Sequence, residues 1–110
     1  MSVSVLEMGK RLAELRKVLS RDSGEEWTQF RIAQELGLTQ SVIHRLECGS
    51  GSIENLLILL HLYHIKGYNT QWLITLDNSS VRMYREDKTS DQELMQILEK
   101  LNKVLNNKFS

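Results

Sequence analysis

The sequence predicts an all-α protein, and three features of its 110 residues support that prediction. Apolar residues recur every three to four positions through most of the chain, which is the spacing of one helix face. There is no proline to interrupt a helix. Gly24, Gly37, Gly49 and Gly67 separate the segments with helical periodicity, where a C-terminal cap or a tight turn is expected.

The chain begins with two predicted helices. Residues 9–20 form an amphipathic helix, and the polar, acidic residues 21–27 form a loop. Residues 28–36 form a second, short helix, which Thr28 can cap at its N-terminus. Gly37 ends that helix, and a third helix begins a few residues after it.

The third helix follows Thr39, which is well placed to cap it, and ends at Gly49. At about 100° per residue its apolar side chains share one arc: Val42, Ile43 and Leu46. The opposite arc is polar and carries no carboxylate: Gln40, Ser41, His44 and Cys48. We expect one side of this helix to dock on its own domain and the other to face a partner.

A fourth helix over residues 53–66, capped by Ser52, is apolar on nearly all sides. A helix of that kind is buried on both sides, so a second apolar surface must cover it. The residues expected on this second face are Ile58, Leu62 and Ile65. Residues 69–74 add one short helical turn, with Trp72 pointing inward.

The C-terminal third contains a predicted linker and a last helix. Residues 76–89 lose the helical periodicity and form the linker. Ser90 and Glu93 match a capping box, which begins an amphipathic helix. Its apolar residues form one stripe, the C-terminal stripe: Leu94, Ile97, Leu98, Leu101, Val104 and Leu105. The predicted organisation is a domain over 1–75, the linker 76–89, and a helical segment over 90–110 that serves dimerisation.

Composition excludes several classes of protein. The start, MSVSVLEMGKRL, lacks the basic and apolar regions of a signal peptide. The most apolar stretch, residues 56–65, is too short for a membrane span. We therefore expect no membrane partner. One cysteine cannot form an internal disulfide, so we expect a cytoplasmic protein. The formal net charge of zero counts against a simple electrostatic nucleic-acid binder without excluding one.

Residues 28–49 have the local features of a helix-turn-helix. Ala33 lets the two helices of this motif pass close to each other. Gly37 forms the turn between them, and apolar residues fill their junction. With the segments GKRLAELR, TQFRIAQELGLTQSVIHRLECG and YNTQWLIT, residues 9–75 resemble the DNA-binding domain of the phage repressor/Cro family, also called Xre-like regulators. The resemblance implies a five-helix repressor-like helix-turn-helix domain whose third helix enters the major groove.

By position, the resemblance implies four residues that contact DNA bases: Gln29, Gln40, Ser41 and His44. Their chemistry agrees, because Gln can bond adenine at N6 and N7, Ser is adaptable, and His can donate to a guanine acceptor. The backbone N–H groups after Thr28 lie at a helix N-terminus, which suits a phosphate. The expected phosphate contacts are Thr28, Arg45, Arg31, Lys10, Arg11, Ser50, Ser52 and Asn55.

The resemblance also implies an ion pair and an assembly. The family often pairs an arginine late in the first helix with a glutamate after the third, and Arg16 and Glu47 occupy these positions. We expect that pair to be structural and partly buried. The implied function is that of a dimeric transcriptional repressor on a palindromic DNA operator. Its dimer interface would join the C-terminal stripe to Ile58, Leu62 and Ile65, either within one chain or across a two-fold axis.

Other interpretations stay open. The polar arc could be an ordinary solvated face, and the domain a protein-interaction module on a helix-turn-helix scaffold. The protein could also be an antitoxin that autoregulates its operon and binds a toxin, and an antirepressor protein is another possible partner. His44 and Cys48, like His61 and His64, have helical spacing, but a metal needs three or four ligands, so no metal or cofactor is expected. An enzyme is least favoured, because no catalytic constellation can be assembled.

Overall fold

A computed structural model of the protein describes residues 3–85 and 99–103. Five helices lie in the first range: α1 (Val5–Ser23), α2 (Gln29–Leu36), α3 (Gln40–Glu47), α4 (Ile53–Ile65) and α5 (Thr70–Ile74). Residues 99–103 are also helical, and no β-strand forms in either range, which confirms the all-α prediction for this part of the chain. None of the helices in these two ranges is long and apolar enough to cross a membrane.

Helix α1 is longer at both ends than the sequence predicts. It begins at Val5 because the Ser4 hydroxyl accepts a hydrogen bond from the N–H three residues ahead, at 3.2 Å, and caps the helix. It continues through Ser23, so part of the predicted loop over 21–27 is helical. Gly24 ends it in the left-handed conformation, with φ of 72°.

A three-residue turn joins α2 to α3, and its geometry depends on Gly37. Gly37 has φ of 68°, which confirms that it ends α2. The Leu38 N–H then bonds to the Ala33 carbonyl at 2.8 Å. The predicted cap on α3 is wrong in one respect: the Thr39 hydroxyl caps no N–H, and lies instead 3.1 Å from Ser41 Oγ.

The core takes one completely buried aliphatic side chain from each of the five helices. These residues are Leu15, Ile32, Ile43, Leu59 and Leu73. They belong to a single cluster, which also holds Trp72, as expected, and Trp27, which the sequence places in a loop. Because every helix contributes to one cluster, the five helices pack as one body.

Within residues 3–85 and 99–103, helix α4 is covered on one side only, and the surface expected to cover its other side is not among these described residues. Leu62 was expected on the second face, but it is 6% exposed and packs in the core, so it is not available to a dimer interface. Ile58 is half-buried and Ile65 is 60% exposed. The buried residues of α4 are Leu59, Leu62 and Tyr63, and Leu56 and Leu60 are partly buried against the same core.

Arg11 is a structural residue, which corrects its prediction as a phosphate contact. It is 7% exposed, and its guanidinium donates hydrogen bonds to four backbone carbonyls: those of Trp72, Leu73, Thr75 and Leu76. The last carbonyls of a helix have no partners within the helix. Arg11 therefore caps the C-terminal end of α5 from inside the protein.

Residues 76–85 pack on the body, which corrects the prediction of a linker beginning at residue 76; we call them the strap. The Asn69 N–H bonds to the Met83 carbonyl at 2.7 Å, and the Arg85 N–H bonds to the Gly67 carbonyl at 2.9 Å. Three apolar side chains of the strap lie against the core: Val81, Met83 and Tyr84. Helical periodicity is absent from these residues, so the sequence pattern did not reveal their packing.

A hydrogen-bonded cluster fastens the strap to the end of α1. The Asp22 carboxylate accepts hydrogen bonds from the Tyr84 hydroxyl at 2.7 Å and the Tyr68 hydroxyl at 2.9 Å. The bond from Tyr84 is the main cause that holds the pKa of Asp22 below its ordinary value. The same bond raises the pKa of Tyr84, and burial together with the bond to Asp22 raises the pKa of Tyr68.

Most of the predicted C-terminal segment lies outside the described residues. This applies to the linker residues 86–89 and to five members of the C-terminal stripe: Leu94, Ile97, Leu98, Val104 and Leu105. The sixth member, Leu101, is described, and it is 53% exposed.

Candidate nucleic-acid interface

Helix α3 has one buried side and one exposed side. Ile43 is completely buried and Leu46 is 4% exposed, and both pack in the core. The exposed side carries five residues, which we call the α3 polar face: Gln40, Ser41, His44, Arg45 and Cys48. Three of the four predicted base-contacting residues therefore lie together on one exposed surface, and none of the five side chains is a carboxylate.

The end of α3 is held against α1 at Gly9. A Cβ atom at position 9 would lie 2.6 Å from the carbonyl oxygen of Glu47 and 2.8 Å from the nitrogen of Gly49. Only a glycine allows the two backbones to approach so closely. The sequence alone does not single out Gly9, because one glycine inside a helical pattern is a weak signal.

The ion pair expected between Arg16 and Glu47 is present. Arg16 Nε donates to Glu47 Oε2 at 2.8 Å, and Arg16 Nη2 donates to Glu47 Oε1 at 3.1 Å. The side chain of Glu47 is 6% exposed and that of Arg16 is 19% exposed, so the pair is mostly buried. The hydrogen bond to Glu47 is the main cause that raises the pKa of Arg16. This two-bond contact fixes the orientation of α3 relative to α1.

Gln29, at the first position of α2, bonds to the same carboxylate. Its Nε2 donates to Glu47 Oε1 at 2.9 Å, and the residue is half-buried. The sequence predicts a base-contacting side chain here, but the structure shows one amide hydrogen already committed to Glu47. The second amide hydrogen and the carbonyl oxygen remain for other contacts. Gln29 therefore links α2 to α3, and the rest of its amide group is available for a contact at the site.

Arg31, a predicted phosphate contact, already has partners in the loop before α2. Its Nη2 donates to Glu25 Oε2 at 2.8 Å, and its guanidinium lies 3.9 Å from the ring centroid of the buried Trp27. The Thr28 hydroxyl is also in use, because it accepts the Arg31 N–H at 3.1 Å and caps α2. The remaining backbone N–H groups at the N-terminus of α2 are available to bind an anion.

The polar residues of the loop between α3 and α4 shape the loop itself. The Ser50 hydroxyl donates to the Arg45 carbonyl at 3.1 Å. The Ser52 hydroxyl caps α4 by accepting the Asn55 N–H at 3.1 Å. Ser50 and Ser52 are exposed and Asn55 is half-buried. These predicted phosphate contacts therefore lie at the surface, although both hydroxyl groups already have partners.

Lys10 and Arg45 are the predicted phosphate contacts that remain exposed cations. Arg45 is on the α3 polar face, where its Nε donates to the Ser41 carbonyl at a long 3.4 Å. Lys10 follows Gly9, where α1 meets the end of α3. Exposed cations are the groups that neutralise phosphate charge.

His44 and Cys48 lie one helical turn apart on the α3 polar face, with 3.6 Å between His44 Nε2 and Cys48 Sγ. Both residues are exposed. Within residues 3–85 and 99–103, no group of three or more His, Cys, Asp or Glu side chains is placed to hold a metal ion. The imidazole of His44 can donate or accept a hydrogen bond, depending on which nitrogen carries the proton.

The site thus consists of an exposed row of hydrogen-bonding side chains on α3, two exposed cations, and a buried network that fixes α3 in place. Comparisons of the chain with protein-family models, with curated proteins and with solved structures find no match. The chemistry of the site is therefore the basis on which a function can be assigned.

Proposed function

We propose that the protein is a sequence-specific DNA-binding transcriptional regulator, a repressor of the phage repressor/Cro type. In this proposal, residues 1–75 act as a helix-turn-helix domain, and α3 enters the major groove. One observation carries the proposal: α3 is anchored by Ile43 and Leu46 while Gln40, Ser41 and His44 are exposed together. A rigidly held helix with exposed donors and acceptors has the properties needed to distinguish base edges.

Each exposed side chain of α3 has a distinct role in the proposal. Gln40, at the start of the helix, bonds adenine through its amide oxygen and nitrogen. His44, one turn later, donates to a guanine acceptor, and Ser41 adapts to either base. Gln29 has a supporting role, because one of its amide hydrogens is held by Glu47.

Phosphate binding is the weaker part of the site in a single chain. Arg45 and Lys10 supply two exposed cations, and the N-terminus of α2 supplies backbone N–H groups. Each neutralised phosphate contributes to affinity, so a site with few cations binds modestly. We therefore propose a dimer on a palindromic operator, with two α3 helices about 34 Å apart, which doubles these contacts.

The test is selection of bound sequences from a random DNA pool by the intact protein at low salt. We expect enrichment of two related half-sites whose centres lie about one helical turn apart. The matched control is the double variant Gln40→Ala, His44→Ala, and it should enrich no common sequence. If the intact protein also enriches nothing, it does not read DNA sequence, and the interpretation as a protein-interaction module becomes the better one.

A further inference from the structure

The outward side of α4 is an exposed apolar surface. Ile53 is 77% exposed, Leu57 is 59% exposed and Ile65 is 60% exposed. His61 and His64, also exposed, lie on the same side of the helix. We call these five residues the α4 outer face. At about 1.5 Å per residue, it extends about 18 Å along the helix.

The C-terminal stripe is predicted from the sequence to have a similar length, and it is exposed where the structure describes it. A helix from position 94 to position 105 would be about 17 Å long, at about 1.5 Å per residue. All five residues from 99 to 103 are exposed, including Leu101 at 53%. Because Leu101 and the α4 outer face are both exposed in the same chain, the chain's own Leu101 does not cover that face.

The strap fixes where the C-terminal segment starts. The Arg85 N–H bonds to the carbonyl of Gly67, two residues after α4 ends at Ile65. Residue 85, which precedes the C-terminal segment, therefore lies beside the C-terminal end of α4. Residues 86–93 can span at most about 28 Å, which limits how far from residue 85 the stripe can begin.

We propose that the α4 outer face is the docking site for the C-terminal stripe of a second copy of the protein, exchanged reciprocally. One arrangement then buries both exposed apolar surfaces, and two-fold symmetry forms each contact twice. The doubling matters because stable interfaces bury about 800 Å² on each partner, more than one helix face supplies. This inference rests on the dimer of the proposed function and names its interface. It does not require that α3 binds DNA, so the oligomeric state tests it separately from the DNA selection.

Charged substitutions on the two surfaces test the proposal through the oligomeric state of the full chain. In sedimentation experiments, Leu57→Lys and Leu101→Lys should each weaken dimerisation at least tenfold. The matched control is Leu76→Lys, at a strap residue that is 51% exposed, which should stay within about twofold of the unmodified protein. A monomeric unmodified protein at high micromolar concentration overturns the proposal.

Mixing the two variants distinguishes this exchange from pairing of the stripes with each other. A copy with Leu57→Lys keeps its stripe, and a copy with Leu101→Lys keeps its α4 outer face. We therefore expect mixed dimers, with one intact contact, to form more tightly than dimers of either variant alone. If Leu57→Lys dimerises as the unmodified protein does, the α4 outer face is not the docking site.

Cross-linking gives a second readout that tolerates a change in stability. Cys48 is the one cysteine of the chain, so Cys48→Ser provides a cysteine-free background. In that background, chains with Leu57→Cys are mixed with chains that carry Leu98→Cys, Leu101→Cys or Leu105→Cys, and the mixture is mildly oxidised. We expect covalent dimers between the two kinds of chain. Dimers formed only between stripe cysteines overturn the proposal. So does a cross-link confined to one chain that carries both Leu57→Cys and a stripe cysteine.

Discussion

Arg16 and Glu47 hold helices α1 and α3 together through two hydrogen bonds, at 2.8 and 3.1 Å, between residues 31 positions apart. Gln29 of α2 donates to the same carboxylate. The three helices that surround the candidate interface therefore meet at one buried charge. The orientation of the α3 polar face depends on that charge being kept.

The Glu47→Ala variant should lose about 3 kcal/mol of stability, because truncation leaves the mostly buried Arg16 guanidinium without its partner. An exposed ion pair would cost at most about 1 kcal/mol. Urea unfolding of the intact protein measures the difference. Glu35→Ala, which removes an exposed glutamate from α2, is the control. Equal midpoints for the two variants would show that the pair contributes no more than a surface ion pair.

The Gln40→Ala variant tests direct contact with DNA bases. We expect a loss of about 1–3 kcal/mol of binding free energy on the selected operator and relaxed preference at one base position. Stability should not change, because Gln40 is exposed. Gln34→Ala, an exposed glutamine on α2, is the matched control and should bind as the unmodified protein does. Unchanged base preferences in Gln40→Ala would exclude Gln40 as a base-contacting residue.

Arg11 and Lys10 are adjacent basic residues, but we expect their substitution to change different properties. Arg11→Ala should destabilise the fold by more than about 2 kcal/mol, since it removes the Arg11 donor from the carbonyls of Leu73, Thr75 and Leu76, while that of Trp72 keeps its bond from Asn78. Lys10→Ala should leave stability unchanged, and lower by about one the slope of log affinity against log salt concentration. Thermal unfolding and salt titrations of operator binding measure these effects. A stable Arg11→Ala variant with a reduced salt slope would restore Arg11 as a phosphate contact.

Asp22 should give the protein an acid-sensitive component of stability. Its pKa in the folded protein is lowered, first by the Tyr84 hydrogen bond, while an unfolded aspartate has a pKa of about 3.9. The stability that this bond contributes is therefore present above about pH 4 and is lost as the pH falls through the folded-state pKa. We expect Asp22→Asn to lose less stability than the unmodified protein between about pH 4 and pH 2.

Urea unfolding at a series of pH values measures this component. Glu14→Gln, at an exposed position of α1, is the control and should follow the unmodified protein. Tyr84→Phe, which removes the main hydrogen bond, should flatten the acid limb in the same direction as Asp22→Asn. Parallel curves for all four proteins would mean that the cluster adds nothing to acid sensitivity.

Features that depend on a few neighbouring residues were predictable from the sequence. The Gly37 turn and the Thr28 and Ser52 caps follow from local backbone chemistry. The two sides of α3 follow from helical periodicity. The partners of side chains that bond to distant parts of the chain could not be predicted in the same way. Arg11 bonds to carbonyls more than 60 residues away, and only the folded chain shows that this cation is buried.

Burial of α4 shows why an apolar pattern is not sufficient. A helix that is apolar all round is consistent with burial on both sides, and among the described residues only the side that contains Leu59 and Leu62 is covered. Periodicity shows that two sides of a helix can be covered, but it does not show which surface, of the same chain or of another, covers each side. Gln29 illustrates the same limit, because its bond to Glu47 joins residues 18 positions apart on different helices.

The Arg11 contacts with the end of α5 have a consequence for the order in which the protein folds. They join residues 61 to 65 positions apart, and the Val3 N–H bonds to the Ile74 carbonyl at 3.1 Å in the same region. Contacts so distant in sequence require the closure of a long loop, whereas α2 and α3 meet through near neighbours. During synthesis, Arg11 has no carbonyls to bind until α5 has left the ribosome. We therefore expect α2 and α3 to pack together early in synthesis. The contacts that Val3 and Arg11 make with the end of α5 should form only after α5 has been synthesised.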